Sequence, residues 1–248
     1  MTTAAKSRTI RSTVSRPGRR AARCDARGQA LLILIVMLSI ATMLLVYGSS
    51  TELTRITKVE QRTRVVLEEA RQALIGRAVA DASRPGSLPC PDGDDDGSAD
   101  LFTGSSCPAY IGRLPWRTLG IGDLRDETGE RLWYALSAGF RDHPSAPPLN
   151  SDTKGTLTVY SNSSATAITT QAVAVVFAPG LPVPGQRRDA VAQLCSTTLK
   201  TVPRNWCAAN YLDTAATLNN AAAAGPYITA RPGQDYNDVV APSSSRPT

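Results

Sequence analysis

From Gly28 to Thr51 the chain runs 24 residues without a charged side chain, bracketed by Arg27 and Glu52. No proline occurs between this run and Pro85. About 20 apolar residues suffice for a helix to cross a bilayer. Beyond Glu52, Leu53, Ile56, Leu67, Ala70, Leu74 and Ala78 recur at spacings of three, four or their multiples, the mark of a helix with one buried face. The pattern predicts a single helix over 29–82, membrane-spanning to about 51 and amphipathic afterwards. Ser83-Arg84-Pro85-Gly86 ends it, because proline cannot continue the hydrogen-bond ladder and glycine tolerates the reversal.

Further on the period changes. Arg131 to Ser137 follows the Glu127-Thr128-Gly129 turn and predicts a strand. Residues 156–161, TLTVYS, are short and β-branched. Residues 166–180, TAITTQAVAVVFAPG, alternate and then become continuously apolar, as an interior strand does. A sheet laid on the amphipathic half of the helix buries both apolar faces. The expected fold is therefore α+β: a long N-terminal helix packed on a small antiparallel sheet. Residues 83–240 form its extracytoplasmic domain, and 241–248 read as a disordered tail.

Charge refines the topology. The chain carries a formal net charge of +6. Residues 1–28 hold eight basic groups against Asp25, so the other 19 basic and 20 acidic residues nearly cancel. A nucleic-acid partner is not expected of a near-neutral domain whose one basic pair is Arg187-Arg188. Basic residues flanking an apolar run stay on the cytoplasmic side, which places the leader inside and the domain outside. A secretory signal peptide has a shorter apolar core and a small-x-small exit; here Ala30 to Tyr47 is 18 residues and the exit is Val46-Tyr47-Gly48-Ser49.

A basic leader ending in Arg27-Gly28, an apolar helix starting Gln29-Ala30-Leu31-Leu32, and a soluble domain behind it resemble the type IV pilin and type II secretion pseudopilin class. The resemblance implies cleavage between Gly28 and Gln29 by a prepilin peptidase and methylation of Gln29. It also implies a pilin-like fold and assembly with other pilin or pseudopilin subunits on an inner-membrane platform, in contact with membrane lipid. The implied location is the bacterial inner membrane, single-pass, with the domain periplasmic and then in a filament. Most members carry a glutamate at the fifth mature position, where this chain has Ile33; that departure points to a minor subunit. The strings LPCPD, GRLPWRTLG and GERLWYALS, the strand end Phe177-Ala178-Pro179-Gly180 and Asn210-Tyr211-Leu212 resemble bacterial proteins described as prepilin-like or type II secretion-like, over roughly residues 27–240. The alternative kept beside this is a single-pass, membrane-anchored extracytoplasmic binding protein.

Of five cysteines, Cys24 lies in the leader, leaving Cys90, Cys107, Cys195 and Cys207, an even set in an exported domain. Three pairings are open; local loops, Cys90 to Cys107 and Cys195 to Cys207, are the simplest. Between the first two lies PDGDDDGSAD. Asp92, Asp94 and Asp96 alternate, Gly97 follows, and Asp100 takes the ninth place, matching the first half of a calcium loop whose twelfth place is Thr103 instead of glutamate. An abbreviated calcium loop and a solvated acidic turn both fit, and no other cofactor is indicated. Zinc is not expected, since the one histidine, His143, stands alone before Pro144. The same isolation removes a Ser-His-Asp site, and no nucleophile-elbow, zincin or phosphate-loop string occurs. The chain is not expected to be an enzyme.

Overall fold

The structure is a computed structural model. It describes residues 26–161, 166–188, 194–196, 201–203, 207–215, 218–229, 233 and 236–244, without the side chains of 26–29, 46–60, 194–196, 201–203, 215, 218 and 244. The chain divides into two units, 1–53 and 54–248.

Helix α1 covers Ala26–Ala80. In the first unit its described side chains, residues 30–45, are all exposed, Leu31 at 62% and Leu45 at 74%. In the second unit the helix is one-sided. Leu67, Ala70 and Leu74 are buried, while Val65 and Val79 face outward. The helix ends at Ala80, two residues short of the expected end at 82. The Asp81 carboxylate accepts the N–H groups of Ser83 and Arg84, at 2.9 and 2.8 Å, and Gly86, at φ +91°, donates back to the Ala78 carbonyl. Arg77 fastens this corner, reaching Asp81 at 3.1 Å and Asp142 at 2.9 Å.

The second unit is built on a six-stranded sheet of β1 (Ile111–Arg113), β2 (Trp133–Leu136), β3 (Leu157–Ser161), β4 (Thr166–Ala178), β9 (Tyr227–Thr229) and β10 (Val239–Ser244). The order is β1-β2-β4-β3-β9, with β10 also on β4. Two ribbons stand apart: β5 (Leu194–Ser196) with β6 (Thr201–Pro203), and β7 (Thr214–Ala215) with β8 (Leu218–Asn219). Among the described residues, two short 3₁₀ helices, Ala138–Phe140 and Ala208–Asn210, join the pieces.

The thirteen residues of β4 carry the sheet. Its first part pairs with β3; its second pairs with both β2 and β10. That second part, Ala172–Ala178, is buried throughout, because both of its faces are covered. On one face Ala174, Val176 and Ala178 join Tyr134, Leu136 and the α1 residues Leu67, Ala70 and Leu74. On the other Ala172, Val175 and Phe177 join Trp133, Val159, Tyr211, Leu212 and Tyr227. A strand buried on both faces reads as an apolar run instead of an alternation.

Three expectations need correction. The sheet is not small and antiparallel: it has six strands and is mixed, since β3 and β9 run parallel, Val159 opposite Tyr227. Parallel neighbours need a long crossover, and β9 sits in an Ala-, Asn- and Gly-rich stretch where no period-two pattern announces it. Second, a membrane-spanning N-terminal helix is not found: among the described residues, no helix is long and apolar enough to cross a membrane. The described apolar stretch is residues 30–45, short of a span. Third, residues 241–244 lie in β10, where Pro242 is tolerated on a strand bonded to β4; the remainder of the expected tail, 245–248, lies outside the described residues.

Candidate functional site

The acidic loop is positioned by its own first residue. Asp92 is 1% exposed. Its Oδ1 accepts the N–H groups of Asp94 and Asp95, at 3.1 and 2.7 Å, and its Oδ2 that of Gly97, at 2.7 Å. Backbone bonds in both directions between Asp92 and Arg113 tie the loop to the edge of β1. Burial pushes the Asp92 carboxyl up to about 6, with Asp94 adding in the same direction and the three N–H donors only partly opposing. Gly97 closes the turn at φ +88°, and a Cβ there would lie 2.5 Å from the Trp116 ring; glycine is required on both counts.

The Cys90–Cys107 disulfide brackets the loop, both sulfurs in buried residues. Cys207 is disulfide-bonded as well, while the Cys195 side chain lies outside the described residues. Carboxylate oxygens of Asp92, Asp94 and Asp100 approach within 4.8 Å of one another. Asp96 is not in this group; its Oδ1 accepts the N–H of Ser98 at 2.6 Å. Calcium takes six to eight oxygens. Three carboxylates supply part of such a shell, and Asp92 has already committed three of its lone pairs to backbone donors.

Asp95 faces the domain. At φ +63°, it meets Arg131 at 3.0 Å and Arg113 at 3.6 Å, and its carbonyl accepts a further bond from Arg131 at 2.8 Å. Arg131 also holds Asp123 at 2.9 Å. Arg113, 5% exposed, lies with its guanidinium 4.4 Å from the Trp133 ring and 3.9 Å from that of Tyr211, an arrangement in which each ring face offsets part of the cost of burying the cation. Sequence reasoning passed over these arginines. The available signal was their repetition one residue before Leu-Pro-Trp and Leu-Trp-Tyr, in GRLPW and GERLWY. Trp133 is buried at 1% and belongs to the core, whereas Trp116 is half-buried against the acidic loop.

The Ala178-Pro179-Gly180 strand end has a partner of the same kind. Asp126, 6% exposed, accepts the N–H groups of Thr128 and Glu130 with Oδ1 and that of Gly180 with Oδ2, at 2.8, 3.0 and 2.9 Å. His143 stays apart from all of these, edge-on to Phe102 with ring centroids 4.7 Å apart and bonded to Ser145. Gly28 and Gln29 fall within α1, but their side chains are outside the described residues.

No family model matches the chain, and no curated protein or solved structure matches it either. The class that the site defines therefore rests on its own geometry: a hydrogen-bonded, disulfide-bracketed acidic loop on a domain whose helix carries an exposed apolar stretch.

Proposed function

We propose that the chain is a minor pilin- or pseudopilin-like structural subunit and not an enzyme. On this reading a prepilin peptidase cuts after Gly28, Gln29 becomes the methylated N-terminus, and the apolar stretch packs among other subunits of a type IV pilus or type II secretion pseudopilus. The protein works at the bacterial inner membrane, leader in the cytoplasm and domain in the periplasm, against lipid and the assembly platform before it enters the filament.

The observation that carries the reading is the exposure of residues 30–45. Sixteen consecutive uncharged residues, twelve of them Leu, Ile, Val or Met, lie bare on the helix that begins beside Arg27-Gly28-Gln29. Surface of that size and polarity is stable in water only when something covers it. The absence of a glutamate at Ile33 favours a subunit used once or a few times over one repeated along the filament.

Mass spectrometry of the N-terminus tests it. A chain starting at methylated Gln29 is expected; an intact leader overturns the reading and favours the membrane-anchored binding protein. The approach of Asp92, Asp94 and Asp100 within 4.8 Å supports a second, subordinate reading, a calcium ion that stiffens the disulfide-bracketed loop. Calcium is then expected to raise the melting temperature of the wild-type chain, and not that of an Asp94→Asn, Asp100→Asn variant. Equal curves with calcium and with chelator retire the ion.

A further inference from the structure

Strand β10 enters the sheet directly after Asp238, and β7 begins directly after Asp213. Both aspartates are 0% exposed. Each holds the other's backbone: Asp238 Oδ2 accepts the N–H of Asp213 at 2.8 Å, and Asp213 Oδ2 accepts the N–H groups of Asp238 and Asn237, at 2.9 and 2.8 Å. The second oxygen of each, Oδ1, is buried with no hydrogen-bond donor.

The described surroundings spend their donors elsewhere. Asn220, also 0% exposed, gives its amide to Asp238 Oδ2 at 2.9 Å and to the Ile228 carbonyl at 3.0 Å, and its Oδ1 takes the Ile228 N–H. The Tyr236 hydroxyl bonds to the Ile228 carbonyl. Among the described residues, the one cation acting on both carboxylates is Arg188. Its guanidinium is engaged by the carbonyls of Gly180, Asn210 and Tyr211 and by Glu130 at 3.3 Å. Two full negative charges here, with one arginine already shared with a third, leave buried charge that the fold does not compensate.

We propose that Asp213 and Asp238 carry one proton between them in the folded chain, forming a latch that fastens β10 to the 213 turn and loosens as pH rises. A single proton turns one of the two carboxylates into a neutral carboxyl and so halves the buried charge. Desolvation, and then the charge of Asp213, hold the Asp238 carboxyl well above the usual carboxylate range; burial raises Asp213 also. In the unfolded chain both ionise near the ordinary value of about 4, so folding takes up a proton above that pH. The folding constant therefore falls roughly tenfold per pH unit until the folded pair gives its proton up, and is level beyond. Stability is lost on the alkaline side.

The full chain in detergent micelles is the sample for two measurements. Infrared spectra at pH 8, where Asp92 is ionised, are expected to show the carbonyl stretch of one protonated carboxyl per chain, absent from Asp238→Asn; should that variant not fold, Asp213→Asn is read in its place. Urea midpoints from pH 5 to 9 are expected to fall in the wild type more steeply than in the folded variant, whose amide does not titrate. No protonated carboxyl at pH 8 in the wild type overturns the latch, as does a band, or a slope, that the folded variant leaves unchanged.

Discussion

At the scale of single residues, the acidic loop shows one side chain doing what the charge pattern suggested of four. Asp92 is the organiser: it is buried and spends its oxygens on three N–H groups of its own loop. Its carboxyl, pushed up to about 6 by burial, binds a proton on folding between about pH 4, its unfolded value, and pH 6. The contribution of Asp92 to folding stability therefore falls as pH rises through that window and is level above it. Asp92→Asn is expected to remove that slope, and to cost about 1–3 kcal/mol near neutral pH, because an amide turns a donor toward at least one N–H that had an acceptor. Urea unfolding of both chains at pH 4 and pH 7 measures both effects. The spacing of Asp92, Asp94, Asp96 and Gly97 was legible in the sequence. The division of labour was not, because it depends on Arg113 and Arg131 reaching across from β1 and the start of β2 to occupy Asp95. Spacing along a chain carries no information about cations that arrive from elsewhere in the fold.

At the scale of elements, the patterns that read well are those with a single cause. The one-sided helix is there, with Leu67, Ala70 and Leu74 inward, and so are the strands at 157–161 and 166–178. Leu74, 1% exposed, packs in the core cluster that holds Tyr134 and Val176. Leu74→Ala is expected to cost ~2–5 kcal/mol. Val79→Ala, five residues on and 77% exposed, is expected to stay within about 0.5 kcal/mol. Denaturation midpoints of the two variants separate a buried helix face from a solvated one. What escaped was β9 and β10. The first, Tyr227–Thr229, is three residues long and set among small residues; the second, Val239–Ser244, is interrupted by Pro242. Their place in the sheet is decided by the edges that β3 and β4 leave open, not by their own propensity.

At the scale of the whole chain, the charge surplus and the apolar run were visible at once, and both belong to the first unit; the near-neutral remainder is the second. The functional reading draws on that division. The N-terminal segment supplies a surface that needs covering, and the domain supplies a body whose described core begins at Leu67. Nothing in composition pointed to the Asp213–Asp238 pair. Two aspartates 25 positions apart in a polar, alanine-rich region look like surface until the chain folds them under Arg188 and Asn220.

The placement of β4 has a consequence for the order in which the molecule is assembled. Its second half is bonded on one edge to β2, some 40 residues earlier, and on the other to β10, more than 60 residues later. Contacts of such sequence separation are slow to form, since loop-closure entropy is spent before any of them is gained. Until residues 239–244 arrive, Ala172–Ala178 presents an unpaired, wholly apolar edge, the kind of surface on which strands of separate chains add to one another. The nascent domain is thus exposed to aggregation for as long as its final strand is missing, and a chain of this design gains from a chaperone that shields β4 until the last stretch has been made.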